Sequence, residues 1–206
     1  MARIAPILVS SKTQPIIGAV LAALWLLFAI AHLSGFGRTG KTSLLVFALA
    51  ETIVAAFLLL RTQPKTLSTR PAEWAVAVAG TFLPLLVRPT TDTLIPAAEW
   101  GLVLGSALQI AGVLSLNRSL AIVPALRELK TAGMYRVVRH PIYSSYLVTF
   151  SCYLAVNFSA RNLLILLASS VLLVARVHFE ERHLAQMPEY QAYRSRVRWR
   201  LIPFVF

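Results

Sequence analysis

Six apolar runs alternate with short polar segments along the chain, at 16–33, 42–60, 74–87, 97–116, 143–158 and 162–175. Roughly 20 helical residues cross a hydrocarbon core, so the first, second and fourth runs predict transmembrane helices directly. The third and sixth are short and have to borrow flanking residues, or the bilayer has to thin around them. Helices are the predicted form because an open strand edge in lipid leaves backbone groups unpaired. Residues 13–37 hold no Asp, Glu, Lys or Arg, which predicts a retained first helix and not a cleaved leader. Glu51 interrupts the second run. An intramembrane carboxylate is a functional candidate by default, and the other reading is a protonated group bonded to a neighbouring helix. Trp74, Trp100 and Tyr153 lie near run ends and read as interfacial belt residues.

Composition sharpens this into a membrane protein. The chain is 57% hydrophobic and 14% charged, where soluble chains carry about 25% charged residues. Its mean hydropathy is +0.70. A net charge of +12 raises nucleic acid as a partner, but the basic residues sit in short segments between the runs, as membrane topology requires. With six spans, one side collects Arg3 and Lys12, three basic residues in 61–70, five in 118–139 and six in 176–200. The other side holds only Arg38, Lys41, Arg88 and Arg161. The positive-inside rule then puts both termini in the cytosol, with a bacterial inner membrane as the expected location. The expectation is an all-α polytopic bundle of about six transmembrane helices forming one integral membrane domain over 1–206. Residues 1–120 supply N-terminal helices, and 121–206 a C-terminal core whose polar segments face the cytosol. Cys152 is alone, so no intrachain disulfide follows. Glu180 and His183 have Glu-x-x-His spacing, but no second such pair accompanies them, and no metal site is expected.

Two segments stand apart from apolar filler. In the first, Gly133 suits a turn and Pro141 the first turn of a helix, which sets Arg139 and His140 just before a helix N-terminus. Such a place attracts an anion, for example the carboxylate of an amino-acid-like cofactor; the plain alternative is a pair of headgroup anchors. In the second, Arg176 and Glu180 are four apart and can pair on one helix face. The adjacent Glu181 points about 100° away, so one carboxylate is expected to turn into the bundle and the other to the cytosol. A solvated helix end is the plain alternative.

Together these residues resemble a known family. The pattern is Gly133-x-Tyr135-x3-Arg139-His140-Pro141-x-Tyr143, two apolar helices, Arg176-x3-Glu180-Glu181-x2-Leu184, then Glu189-Tyr190-x2-Tyr193-x3-Val197-x4-Ile202-Pro203. It is similar to the isoprenylcysteine carboxyl methyltransferases and the related phospholipid methyltransferases, over residues 133–203. The resemblance implies an S-adenosyl-L-methionine-dependent methyltransferase acting at the cytosolic membrane face. The implied acceptor is lipophilic: an isoprenyl-cysteine-like carboxylate, an isoprenoid or a lipid head group. It further implies that Arg139, His140, Tyr143, Glu180, Tyr190 and Tyr193 bind the cofactor, while Arg176 and Glu181 serve activity and acceptor admission. Two departures stand out: Ser145 replaces a glycine common in that family, and the Arg88-Pro89 turn has no counterpart. An NAD(P)H-dependent membrane sterol or steroid reductase shares an Arg-His-x-x-Tyr element and an Ile-Pro close, but Pro141 and the glutamate pair disfavour it. A non-catalytic membrane protein is the third reading.

Overall fold

The computed structural model describes Ser10 and residues 13–206. Arg3 and Lys12, counted above for orientation, lie outside the described residues. The chain forms seven α-helices there: α1 (Thr13–Thr39), α2 (Ser43–Leu60), α3 (Pro71–Phe82), α4 (Ala98–Leu116), α5 (Pro141–Val156), α6 (Ala160–Leu184) and α7 (Pro188–Arg196). A 3-10 turn, Leu83–Leu86, prolongs α3 past Phe82. An all-α membrane bundle is therefore the architecture.

Among the described residues, four helices are long and apolar enough to cross a membrane: Thr13–Thr39, Ser43–Leu60, Ala98–Ser119 and Ala160–Leu184. The expected count of six is met by four on this criterion. The sixth run, expected to be short, is instead one of the long helices. Its charged end, 176–183, stays helical because the fold pairs its side chains internally. Ser159 caps its start, accepting from the Asn162 N–H at 3.1 Å, an interaction typically worth about 1 kcal/mol. The shorter segments are Pro71–Leu86 and the 16-residue α5.

Turns segregate to two ends. At one end Lys41 Nζ donates to the carbonyls of Thr90 and Val156 at 2.8 and 2.5 Å. The Asn162 side chain donates to Arg88 and Asn157 carbonyls and accepts from the Arg88 N–H. The unmatched Arg88-Pro89 turn is thus a clamp between α3 and α6. At the other end a two-residue ribbon pairs Thr66 with Leu126 and Leu67 with Ala125 antiparallel. This small strand pair was not expected, and it knits the loop after α2 to the loop after α4.

The helices pack in the order α1–α2–α4–α5–α6–α3. Two polar bonds cross the core. His32 Nε2 meets the Tyr153 hydroxyl at 2.8 Å, joining α1 to α5. Tyr153 is 1% exposed, so it is a core residue and not the belt residue expected, because His32 satisfies its hydroxyl. Trp100, by contrast, is 79% exposed. Glu51 accepts from Gln109 Nε2 at 2.9 Å, linking α2 to α4, which matches the helix–helix reading of that carboxylate.

The α4–α5 contact depends on missing side chains. A Cβ on Gly105 would lie 2.6 Å from Thr149 Oγ1 and 3.1 Å from the Thr149 backbone nitrogen. Small residues let helix backbones approach this closely in membranes. Gly105→Leu should therefore lower stability by about 1–3 kcal/mol through overpacking, read as a lower thermal midpoint in detergent.

Candidate active site

A turn starts the site. Gly133 has φ of +61°, a conformation that other residues adopt at a cost, and its Cβ position would fall 2.4 Å from Ser115 Oγ. The strap from 133 to 140 is thereby laid against the end of α4. Pro141 opens α5 at its first turn, with His140 at the N-cap. The N–H groups of Arg139 and His140 donate to the Trp199 and Arg200 carbonyls, each at 2.9 Å, so the segment after α7 runs alongside the strap.

Arg139 and Glu181 form a buried hub. Arg139 Nε donates to Glu181 Oε1 at 2.6 Å, and Nη1 donates to the Val197 and Arg198 carbonyls. Glu181 is also 3.3 Å from His140 Nε2 and accepts from Arg200 Nε at 2.9 Å. Arg139 is therefore neutralised within the fold, unlike the free anion-attracting group its position suggested. Glu181, expected at the acceptor, is held behind the cavity wall with its carboxylate occupied.

Glu180 turns the other way, into a cavity of about 1120 Å³ counted out to its open mouth. The expectation of one carboxylate inward and one to the cytosol gives way to two inward carboxylates on different partners. Glu180 accepts from the Tyr143 hydroxyl and lies 3.7 Å from Arg176 Nη2 and 3.9 Å from His140 Nδ1. Arg176 Nη1 donates to Thr81 Oγ1 at 2.8 Å and Nη2 to the Ile122 carbonyl at 3.0 Å. Its guanidinium stands 5.1 Å from the Tyr143 ring centroid, within cation–π range. The His140 and Tyr143 rings stack 5.7 Å apart. One wall thus carries a carboxylate, a fixed guanidinium and two flat rings.

The opposite wall comes from α7. Tyr190 and Tyr193 are each 2% exposed and pack with Tyr135 and Val197. Tyr193 donates to the Tyr135 carbonyl at 2.7 Å. Burial pushes its hydroxyl up to about 12, so it keeps the donating proton at neutral pH. The apolar end is lined by Trp25, Val54 and Leu58.

Seven of the eight expected site residues line this cavity, Glu181 being the exception. Sequence reasoning missed Trp25, Thr81, Tyr146 and Arg127 as lining groups. The first three sit in apolar runs, where nothing local marks a cavity-facing residue. Arg127 was legible only as one more basic loop residue, although the apolar stretch 120–126 before it hinted at burial.

No match to the chain was found among curated proteins. Residues 100–191, from α4 into α7, do match the family described as phospholipid methyltransferase. The match and the resemblance overlap across the Arg139–Tyr143 and Arg176–Glu181 segments, so over residues 100–191 the chain is similar to the phospholipid methyltransferase family.

Proposed function

We propose that the protein is an S-adenosyl-L-methionine-dependent methyltransferase acting on a lipophilic acceptor at the cytosolic membrane face. The observation that carries this reading is the convergence of His140, Tyr143, Arg176 and Glu180 on one cavity that ends in apolar side chains. These residues suit the cofactor. A sulfonium and an α-ammonium favour a carboxylate and aromatic faces, which Glu180, Tyr143 and Tyr146 offer. An adenine suits the flat, apolar walls near Tyr190 and Tyr193.

The cofactor supplies a methyl group already activated as an electrophile, so the chain's task is alignment, which is worth about 7–11 kcal/mol in favourable cases. Arg176, fixed by Thr81 and Ile122, orients the acceptor and holds any negative charge on it. Glu180 and Tyr143 would hold the cofactor so that this methyl carbon faces the acceptor's lone pair, the sulfur keeping the electrons of the carbon–sulfur bond that breaks. A carboxylate acceptor loses no proton, whereas an amine releases one afterwards. Glu181 acts through Arg139 and the 197–200 segment, as a positioning residue. The cytosolic assignment is supported by the count of basic residues in 61–70, 118–139 and 176–200, segments that include Arg139 and Arg176 of the site. The same count puts both termini on that side, and the lipid bilayer is the surrounding partner.

The test is thermal unfolding in detergent with S-adenosyl-L-methionine or NADPH, followed by incubation of labelled cofactor with total membrane extract. Ligand at 100 times its Kd stabilises by about 2.7 kcal/mol. Stabilisation by S-adenosyl-L-methionine and label in a lipid product is the expected result. Stabilisation by NADPH alone would favour the reductase reading, and none by either a non-catalytic protein.

A further inference from the structure

The packing order leaves α1 and α3 as the two ends of an open ring. They meet through the rings of Trp25 and Phe82, whose centroids are 6.0 Å apart. Beside that contact lies a groove of about 620 Å³ counted out into open solvent, walled by Ile17 and Leu21 of α1 and Trp74 and Val78 of α3. Its flanks face outward: Ile16, Val20 and Val78 are 64%, 56% and 41% exposed. Residues 121–123, Ala125 and Arg127 line both this groove and the cofactor cavity, so a single stretch of chain separates them.

Two guanidiniums stand at the groove's polar end. Arg127 is 7% exposed, and its Nε and Nη1 are buried without a hydrogen-bond partner. Arg61 lines the same groove, and its Nε is buried and unpartnered too. Among the described residues, no carboxylate lies within ion-pair distance of either. Burial and the charge of Arg61 lower the Arg127 pKa to about 10, which leaves it protonated at neutral pH. Like charges, desolvated and unpaired, are costly unless an anion joins them. Elsewhere in this fold the buried arginines have partners: Arg139 has Glu181, and Arg176 has Glu180.

We propose that Arg61 and Arg127 bind the anionic group of a membrane amphiphile whose chain lies in the α1–α3 groove, and that this amphiphile is the methyl acceptor. The anion-binding part stands on the groove alone, while the acceptor role rests on the methyltransferase reading above. Charge selects the head, and the apolar, laterally open walls select a chain drawn from the bilayer. For the acceptor role, the dividing stretch 121–127, whose Ile122 carbonyl accepts from Arg176, has to move aside so that a nucleophile near the bound anion reaches the Arg176 side of the cavity.

Thermal unfolding in an uncharged detergent tests this with dodecyl phosphate, dodecanol and inorganic phosphate. Dodecyl phosphate should stabilise saturably, and the other two should not. Arg61→Gln and Arg127→Gln should each raise its half-saturating concentration about tenfold or more, as losing a charged hydrogen bond predicts. Arg127→Lys should restore part of the loss, which a mere packing role would not. Equal stabilisation by dodecanol, by inorganic phosphate alone, or unchanged dodecyl phosphate binding in both Gln variants overturns the site. Arg61 lines the groove and not the cofactor cavity, so S-adenosyl-L-methionine affinity is read independently in Arg61→Gln. Loss of cofactor binding in the wild type, with arginine-dependent dodecyl phosphate binding intact, sinks the enzyme reading and the acceptor role while sparing the anion site. With cofactor bound, a raised acceptor KM in Arg61→Gln supports the acceptor role, and an unchanged KM removes it.

Discussion

Glu180→Ala should weaken S-adenosyl-L-methionine binding by about 10–150-fold, the range expected from losing one or two charged hydrogen bonds. The carboxylate is the anionic group on the cavity wall shared by Tyr143 and Arg176. Its removal also leaves Arg176 facing the cavity without the counter-charge 3.7 Å away. Glu180→Gln keeps an acceptor for the Tyr143 hydroxyl but not the charge, so it separates the two contributions. Calorimetric titration in detergent reads both variants. An unchanged dissociation constant in Glu180→Ala would remove the cofactor from this cavity.

Glu181→Ala should act on the fold first and on binding second. It strips the partner from Arg139, whose side chain is 4% exposed, and from Arg200. Breaking a buried pair by deleting one member typically costs about 3–5 kcal/mol, because the remaining charge is stranded. The 197–200 segment, which Arg139 holds through two carbonyls, loses its anchor in the same step. The double variant Arg139→Met with Glu181→Leu should recover much of the thermal midpoint, since no fully buried charge is stranded and Arg200, with its side chain 27% exposed, can turn to water. Activity should stay low, because the strap and the following wall are no longer held in register. A thermal midpoint in Glu181→Ala equal to wild type would contradict the hub.

Much of the fold was legible because its signals are local. Pro141 at a first turn and Gly133 at a turn are decided by a few residues each and appear where expected, and four of the apolar runs form helices long enough to span. The pairing of Arg176 with Glu180 follows from helical spacing and is present. What failed depends on distant partners. Tyr153 resembles a belt tyrosine until His32, far away in sequence, takes its hydroxyl. The extent of α6 was underestimated because its charged end reads as a helix leaving the membrane, whereas Arg139, Arg200 and Tyr143 neutralise it in place. The divergence of Glu180 and Glu181 was predictable from the helical period, but not that both would find buried partners. Arg127 gave the weakest signal of all, since only three-dimensional packing shows that it has no counter-ion.

The clamp of Lys41, Asn157 and Asn162 ties three turns together at one end of the bundle. Opposite it, the loops after α2 and α4 are joined by a ribbon two residues long, while the Arg139–Glu181–Arg200 hub ties the tail to α5 and α6. Any widening that lets a bulky guest slip in sideways must therefore pivot about the clamped pole, as tongs do about their rivet. Displacement grows with distance from that pole and falls on the ribbon's side of the bundle, away from the hub.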